Sequence, residues 1–230
     1  MRVAIAYISV ILLWATTPLA IKWSGEGPGF LFAVAGRMTI GAVCLFLTLA
    51  LLRQGLAWHR KARLTYLAVA LQIYASMLVV YWAAQFIPSG WISVVFGLSP
   101  LITALLAAIW LDERSLTLGK CLSYLFGLGG LAIMFGSALQ FGPDAALGII
   151  GVLIAAFLQS ASAVWIKRIN ARLPALSQVA GGLLLAVPAY LITWASLDGH
   201  WPPYPSPAWL PLFIWVPSPQ PLVLRFITMC

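Results

Sequence analysis

The sequence predicts an all-α polytopic membrane protein of about seven complete helices and a broken eighth. Three observations carry that expectation. The chain of 230 residues is 63% hydrophobic and only 8% charged, whereas soluble domains carry roughly 25% charged residues. Its apolar residues gather in segments of about 20, the length that crosses a bilayer. Its Lys and Arg residues fall almost wholly on every second joint between those segments. The same composition excludes disorder, which needs far less apolar surface. Cys44, Cys121 and Cys230 are scattered, with no CxxC, so neither a disulfide scaffold nor a metal site is indicated. The net charge of +8 is not gathered on one polar domain, so no nucleic-acid partner is expected.

Seven segments qualify as spans: Ala4–Trp23, Gly29–Leu52, Leu64–Phe86, Gly90–Leu111, Leu116–Phe135, Ala146–Ile166 and Pro174–Ser196. The first is taken as a span rather than a signal peptide, because its apolar run is long and its small-residue cleavage pattern is weak. The joints Gly25–Gly29, Pro88-Ser89-Gly90, Gly142-Pro143 and Asp198–Pro207 carry turn residues. The runs are too long, and alternate too little, for barrel strands. Trp23, Trp91 and Trp201, at or just past span ends, are expected at the membrane interface.

An eighth stretch begins near Ala208 but holds Pro211, Pro217, Pro219 and Pro221 and then Arg225. Interior prolines break helices, so this span is expected to be broken.

Ten of the thirteen basic residues sit on one side if every segment spans: Arg2, Arg53, Arg60, Lys61, Arg63, Arg114, Lys120, Lys167, Arg168 and Arg172. Only Lys22 falls opposite, while Arg37 lies inside a span and Arg225 in the final stretch. Positive loops stay cytoplasmic. The expected location is the cell's inner membrane, multi-pass, with a cytoplasmic N-terminus.

The chain also matches itself at an offset of 145. Ile21-Lys22 falls on Ile166-Lys167, Val34-Ala35-Gly36 on Val179-Ala180-Gly181, and Thr48, Ala50 and Leu52 on Thr193, Ala195 and Leu197. The sixth span thus repeats the first. Five spans per unit is an odd number, so the second unit enters the membrane inverted. Inverted repeats mark secondary transporters, whose substrate sites lie near midplane between the halves.

Several motifs in sequence order resemble one family. The first span reads Trp14-Ala-Thr-Thr-Pro-Leu-Ala-Ile-Lys22, and the second carries Arg37. The fourth reads Ser99-Pro100-Leu-Ile-Thr-Ala-Leu-Leu-Ala107, then Leu111-Asp112-Glu113-Arg114. Leu116-Thr-Leu-Gly119 and the glycine run Gly127–Gly130 follow, and the sixth span ends Trp165-Ile-Lys167-Arg168. Together they are similar to the EamA-like transporters of the drug/metabolite transporter superfamily. The resemblance implies ten helices in two bundles, cytoplasmic termini, alternating access around a central cavity and small organic metabolites as substrates. On that frame residues 1–138 form the first repeat and residues 146–230 an incomplete second one. A full second unit would end near residue 283, that is 138 plus 145, about fifty residues beyond Cys230. Loss of the reading frame near Leu210–Phe213 is the corresponding expectation.

Candidate site residues come from polar groups inside spans. Arg37 lies about eight residues from the outer end of its span, roughly 12 Å deep, and intramembrane ionisable residues suggest function. Its guanidinium suits a carboxylate; the structural alternative is an anchor to a neighbouring helix. Tyr74, Tyr81 and Gln85 share one face by their spacing, and Gln72 and Ser76 a neighbouring one. Gln159, Ser160 and Ser162 on the sixth span and Trp14, Thr16 and Thr17 on the first complete an aromatic, sparsely polar lining. Pro100 interrupts the fourth span and frees the Phe96 carbonyl. Gly119, Ser123 and Gly127 form a small-residue stripe for close packing, and Glu113 is expected to pair with nearby basic residues.

The function expected is export of neutral or zwitterionic, amino-acid-like solutes. The alternatives are a non-transporting fragment of such a protein and, more remotely, a membrane-embedded lipid-modifying enzyme. The five acidic residues all lie outside the spans, so neither paired-carboxylate catalysis nor a buried-carboxylate proton relay is expected. No cofactor or metal is called for.

Overall fold

The computed structural model describes residues 11, 14–23, 29–112, 119, 122–127, 129, 130, 133 and 143–198. Residues 14–23 form α1. Then come α2 (Phe30–Leu51), α3 (Arg60–Ala83) and α4 (Ser89–Leu111). Residues 122–127 form α5, followed by α6 (Pro143–Ile169) and α7 (Ala175–Leu197). No strand occurs among the described residues. Five of these helices, α2, α3, α4, α6 and α7, are long and apolar enough to cross a membrane. Their outer faces carry bare apolar side chains: Leu51 is 85% and Ile192 69% exposed. A soluble protein would not leave such faces in water, whereas lipid solvates them. The chain is an all-α polytopic membrane protein.

Helix limits depart from the sequence expectation in instructive ways. α3 starts at Arg60 rather than Leu64, because basic residues can continue a helix into the interface. α6 extends about one turn at each end, from Pro143 to Ile169. Its first turn holds Asp144 and its last Lys167 and Arg168, charges that complement the helix dipole. α4 is interrupted at Gly97-Leu98, giving Ser89–Phe96 and Ser99–Leu111. Pro100 lies in the first turn of the second piece, where its missing N–H is harmless. The expected interruption is therefore present, two residues ahead of the proline. α3 holds a feature the sequence did not announce, a π turn at Gln72–Ser76.

α3 is the hub. It packs against both α6 and α7, while α2 lies on α7 and α4 on α6. The main core joins Val34 of α2, Val80 of α3, Ile92 of α4, Val152 of α6 and Ala186 of α7. Without a hydrophobic driving force in lipid, helices associate through close approach at small residues. Here those residues are Gly148 and Gly151 of α6 and Gly181 and Gly182 of α7. A Cβ on Gly181 would stand 2.2 Å from the Tyr66 ring, and one on Gly182 2.3 Å from Val69.

The stripe singled out in the sequence behaves differently. Gly119, Ser123 and Gly127 are exposed, a Cβ on either glycine would meet nothing within 4 Å, and Ser123 Oγ donates to the Gly119 carbonyl at 2.9 Å. The stripe forms no close packing among the described residues, because spacing alone does not supply a partner helix.

Trp23 is 53% exposed, as an interface residue would be, but Trp91 is only 9% exposed and belongs to the core. Glu113, Trp201 and the proline-rich stretch beyond Ala208 lie outside the described residues.

Lys22 closes the end of α3. Its Nζ donates to the Ala84 carbonyl at 2.8 Å and approaches that of Ile87 at 3.4 Å. Both carbonyls belong to the last turn and the segment after it, which have no helical donor of their own.

Candidate functional site

The polar side chains inside the bundle converge on α3. On the side facing α2 and α7, Arg37 Nη1 donates to the Tyr81 hydroxyl at 3.1 Å. The Tyr74 hydroxyl lies 2.6 Å from Thr193 Oγ1, and the Tyr74 and Tyr190 rings meet edge to face, centroids 4.9 Å apart. Tyr190 ties the group together. Tyr81 and Tyr190 are each only 1% exposed.

The π turn explains how α3 receives Tyr190. An i→i+5 turn inserts one residue into the helical ladder and displaces its carbonyls. The Tyr190 hydroxyl donates to the Ile73 carbonyl and lies 3.1 Å from that of Tyr74. A buried carbonyl that would otherwise be costly is thereby satisfied from α7.

On the opposite side α3 meets α6. Ser76 Oγ donates to the Ala155 carbonyl at 2.9 Å. Ser162 Oγ donates to the Ala68 carbonyl at 2.6 Å and lies 3.4 Å from Gln72 Oε1. The pairing of Gln72 with Ser76 on one side of the helix, expected from their spacing, is realised against α6. Gln159 lies on α6 between these contacts, and its Oε1 is buried with no hydrogen-bond partner.

Of the four remaining expected site residues, three are exposed. Gln85 follows the end of α3 and is exposed, because the helix ends at Ala83, one turn earlier than its apolar pattern suggests. Trp14 is 68% exposed. Thr17 is half-buried on α1, and Pro100 is exposed at the break in α4. Of the ten candidate lining residues, then, Arg37, Tyr74 and Tyr81 form one group, Gln72 and Ser162 a second, with Gln159 beside it.

Sequence reasoning missed Tyr190 and Thr193. The available signal was weak. They sit three apart on one face of the seventh span, and Thr193 is the repeat counterpart of Thr48. Both threonines bond back to the carbonyl four residues earlier, Cys44 and Ala189, each at 2.8 Å. The two helices that carry them also correspond: Phe30 to Ala175 is an offset of 145 and Leu51 to Leu197 one of 146.

Known proteins place this arrangement. A solved crystal structure shares the fold at a TM-score of 0.69 and 23% identity, covering 97% of this chain and 76% of that one. A Bacillus subtilis (strain 168) protein named the uncharacterized transporter YoaV is 31% identical over 158 residues, covering 67% of this chain and 53% of that protein. The chain thus spans about half the length of that relative. Residues 1–136 match the EamA-like transporter family, and with more than half its length in that match this chain belongs to the EamA-like transporter family.

Proposed function

We propose that this protein transports small neutral or zwitterionic metabolites, amino-acid-like in character, by alternating access, with export as the direction. The observation that carries this reading is Arg37, held against the Tyr81 hydroxyl inside the bundle, while the described acids, Asp112, Asp144 and Asp198, sit at helix ends. A guanidinium at that depth favours a carboxylate, and the tyrosines beside it offer flat apolar surface with hydroxyl ends. Among the described residues a simple cation would meet no buried counter-charge, so an overall neutral solute bearing a carboxylate fits best. The matching limits of α2 and α7 support two inverted units, residues 1–138 and 146–230, rocking about the α3–α7 contact. Transport without a buried carboxylate is then facilitative, or coupled by other means.

Reconstituting the protein in liposomes tests this. Saturable flux of zwitterionic amino acids is expected. A charge-assisted hydrogen bond contributes about 1.5–3 kcal/mol, so Arg37→Leu should raise the half-saturation concentration about 10- to 100-fold, and Arg37→Lys less. Saturable flux in Arg37→Leu equal to wild type would remove the anchor from the proposal.

A further inference from the structure

The direction in which Tyr81 points is set inside α3, by the π turn at Gln72–Ser76 that precedes it. A π turn holds one residue more than a regular turn, and each α-helical residue rotates the chain by about 100°. Straightening Gln72–Ser76 into regular helix would therefore swing everything beyond it, Tyr81 included, by about that angle. Tyr81 would leave Arg37, whose Nη1 donates to its hydroxyl at 3.1 Å. The contact that holds the guanidinium thus depends on an irregular turn elsewhere in the helix.

An irregular turn in a buried helix has to be held. π turns are rare, and they gather at functional sites. This one is tied on both sides. Ser76 Oγ donates to the Ala155 carbonyl of α6 at 2.9 Å, which leaves the carbonyls of the turn itself unserved. Tyr190 of α7 supplies what they lack: its hydroxyl donates to the Ile73 carbonyl and lies 3.1 Å from that of Tyr74. A second tie to α7 lies beside it. Thr193 Oγ1 donates to the Ala189 carbonyl, so in its 2.6 Å contact with Tyr74 the tyrosine is the donor. Beyond the turn, Met77–Ala83 packs on α6 and α2, the helix that carries Arg37.

We infer that Tyr190 is a positioning residue for the Arg37 anchor. From α7 it holds the π turn of α3 in the register that keeps the Tyr81 hydroxyl on the guanidinium, and so orients Arg37 for a solute carboxylate. This rests on the transport reading and adds to it a control of the α2–α3 contact by the seventh helix. The role requires no contact between Tyr190 and the solute.

Removing the extra residue separates this role from simple packing. Deletion of Ala75, the smallest side chain of the turn, lets Gln72–Ser76 run as regular helix with both halves of α3 in their present orientation. The Ile73 carbonyl then has a helical donor. In liposomes carrying the protein, Tyr190→Phe should raise the half-saturation concentration for zwitterionic amino acids about three- to tenfold, part of the loss expected when a charge-assisted hydrogen bond goes altogether. With Ala75 deleted, Tyr190→Phe should add nothing, because no π turn is left to hold. If the deletion variant fails to accumulate, a cycle with Tyr81→Phe serves. Tyr190→Phe should add less than about twofold once the positioned hydroxyl is gone, since the two residues act through one contact. A wild-type half-saturation in Tyr190→Phe overturns the positioning role alone. So does an equal loss with and without Ala75, or with and without the Tyr81 hydroxyl. Wild-type protein that neither moves nor binds any zwitterionic amino acid, by flux or by thermal shift, overturns the transport reading and this role with it.

Discussion

Gly181→Ala should destabilise the bundle far more than a single methyl suggests. The new Cβ would lie 2.2, 2.4 and 2.5 Å from three atoms of the Tyr66 ring, against an unstrained carbon–carbon distance of about 3.5–4.0 Å. The ring cannot step aside. It is 2% exposed, its hydroxyl donates to the Ala57 carbonyl at 2.9 Å, and it meets Trp58 edge to face, centroids 6.5 Å apart. Separation of α7 from α3 is the remaining relief, and that also lifts Gly182 away from Val69. Overpacking typically costs about 1–3 kcal/mol, and a pinned ring places this case at the upper end. The assay is a double-mutant cycle of Gly181→Ala and Tyr66→Ala, read by reversible unfolding in mixed micelles. Removing the ring costs about 3–5 kcal/mol by itself, but the alanine at 181 then has space. The double variant should fall short of the summed losses by about 1–3 kcal/mol, the coupling expected for residues in contact. Additive losses, or a Gly181→Ala protein within about 0.5 kcal/mol of wild type, would refute the close α3–α7 approach.

Other perturbations follow from the same contacts. Tyr190→Phe strips the hydroxyl from the π turn and leaves a buried carbonyl unpaired, a loss of about 1–3 kcal/mol. Hydrogen exchange at Gln72–Ser76 should quicken, and unchanged exchange with unchanged stability would refute the role of Tyr190. Lys22→Met uncaps the end of α3 and should cost about 0.3–1 kcal/mol; a melting temperature equal to wild type counts against the cap. A cysteine at Arg60 should react only from the cytoplasmic side and one at Gly25 only from the opposite side. Labelling of position 60 from outside intact cells would overturn the orientation.

Membership of the membrane class was legible because it depends on composition and run length, which are properties of each segment alone. A helix in lipid must satisfy its own backbone, so an apolar run of about 20 residues has few alternatives. The α2 limits, Phe30–Leu51, fall within one residue of the expected span for that reason. The interruption of α4 was legible too, since proline chemistry is local. Arg37, Tyr74 and Tyr81 stood out because polar groups are expensive in hydrocarbon wherever they point.

What those groups touch was a different matter. Periodicity carried Tyr81 on to Gln85, yet α3 ends at Ala83 and Gln85 is exposed. The π turn changes the register of α3, and its carbonyls find their donor in Tyr190, 116 residues or more away along the chain. Small-residue spacing drew attention to Gly119, Ser123 and Gly127, while the glycines in close contact are Gly148, Gly151, Gly181 and Gly182. Apolar runs of spanning length sufficed to place these helices in a bilayer, because burial in lipid is decided segment by segment. Which faces meet emerged from the folded bundle, since close packing and buried hydrogen bonds belong to pairs of helices and no single segment encodes its partner.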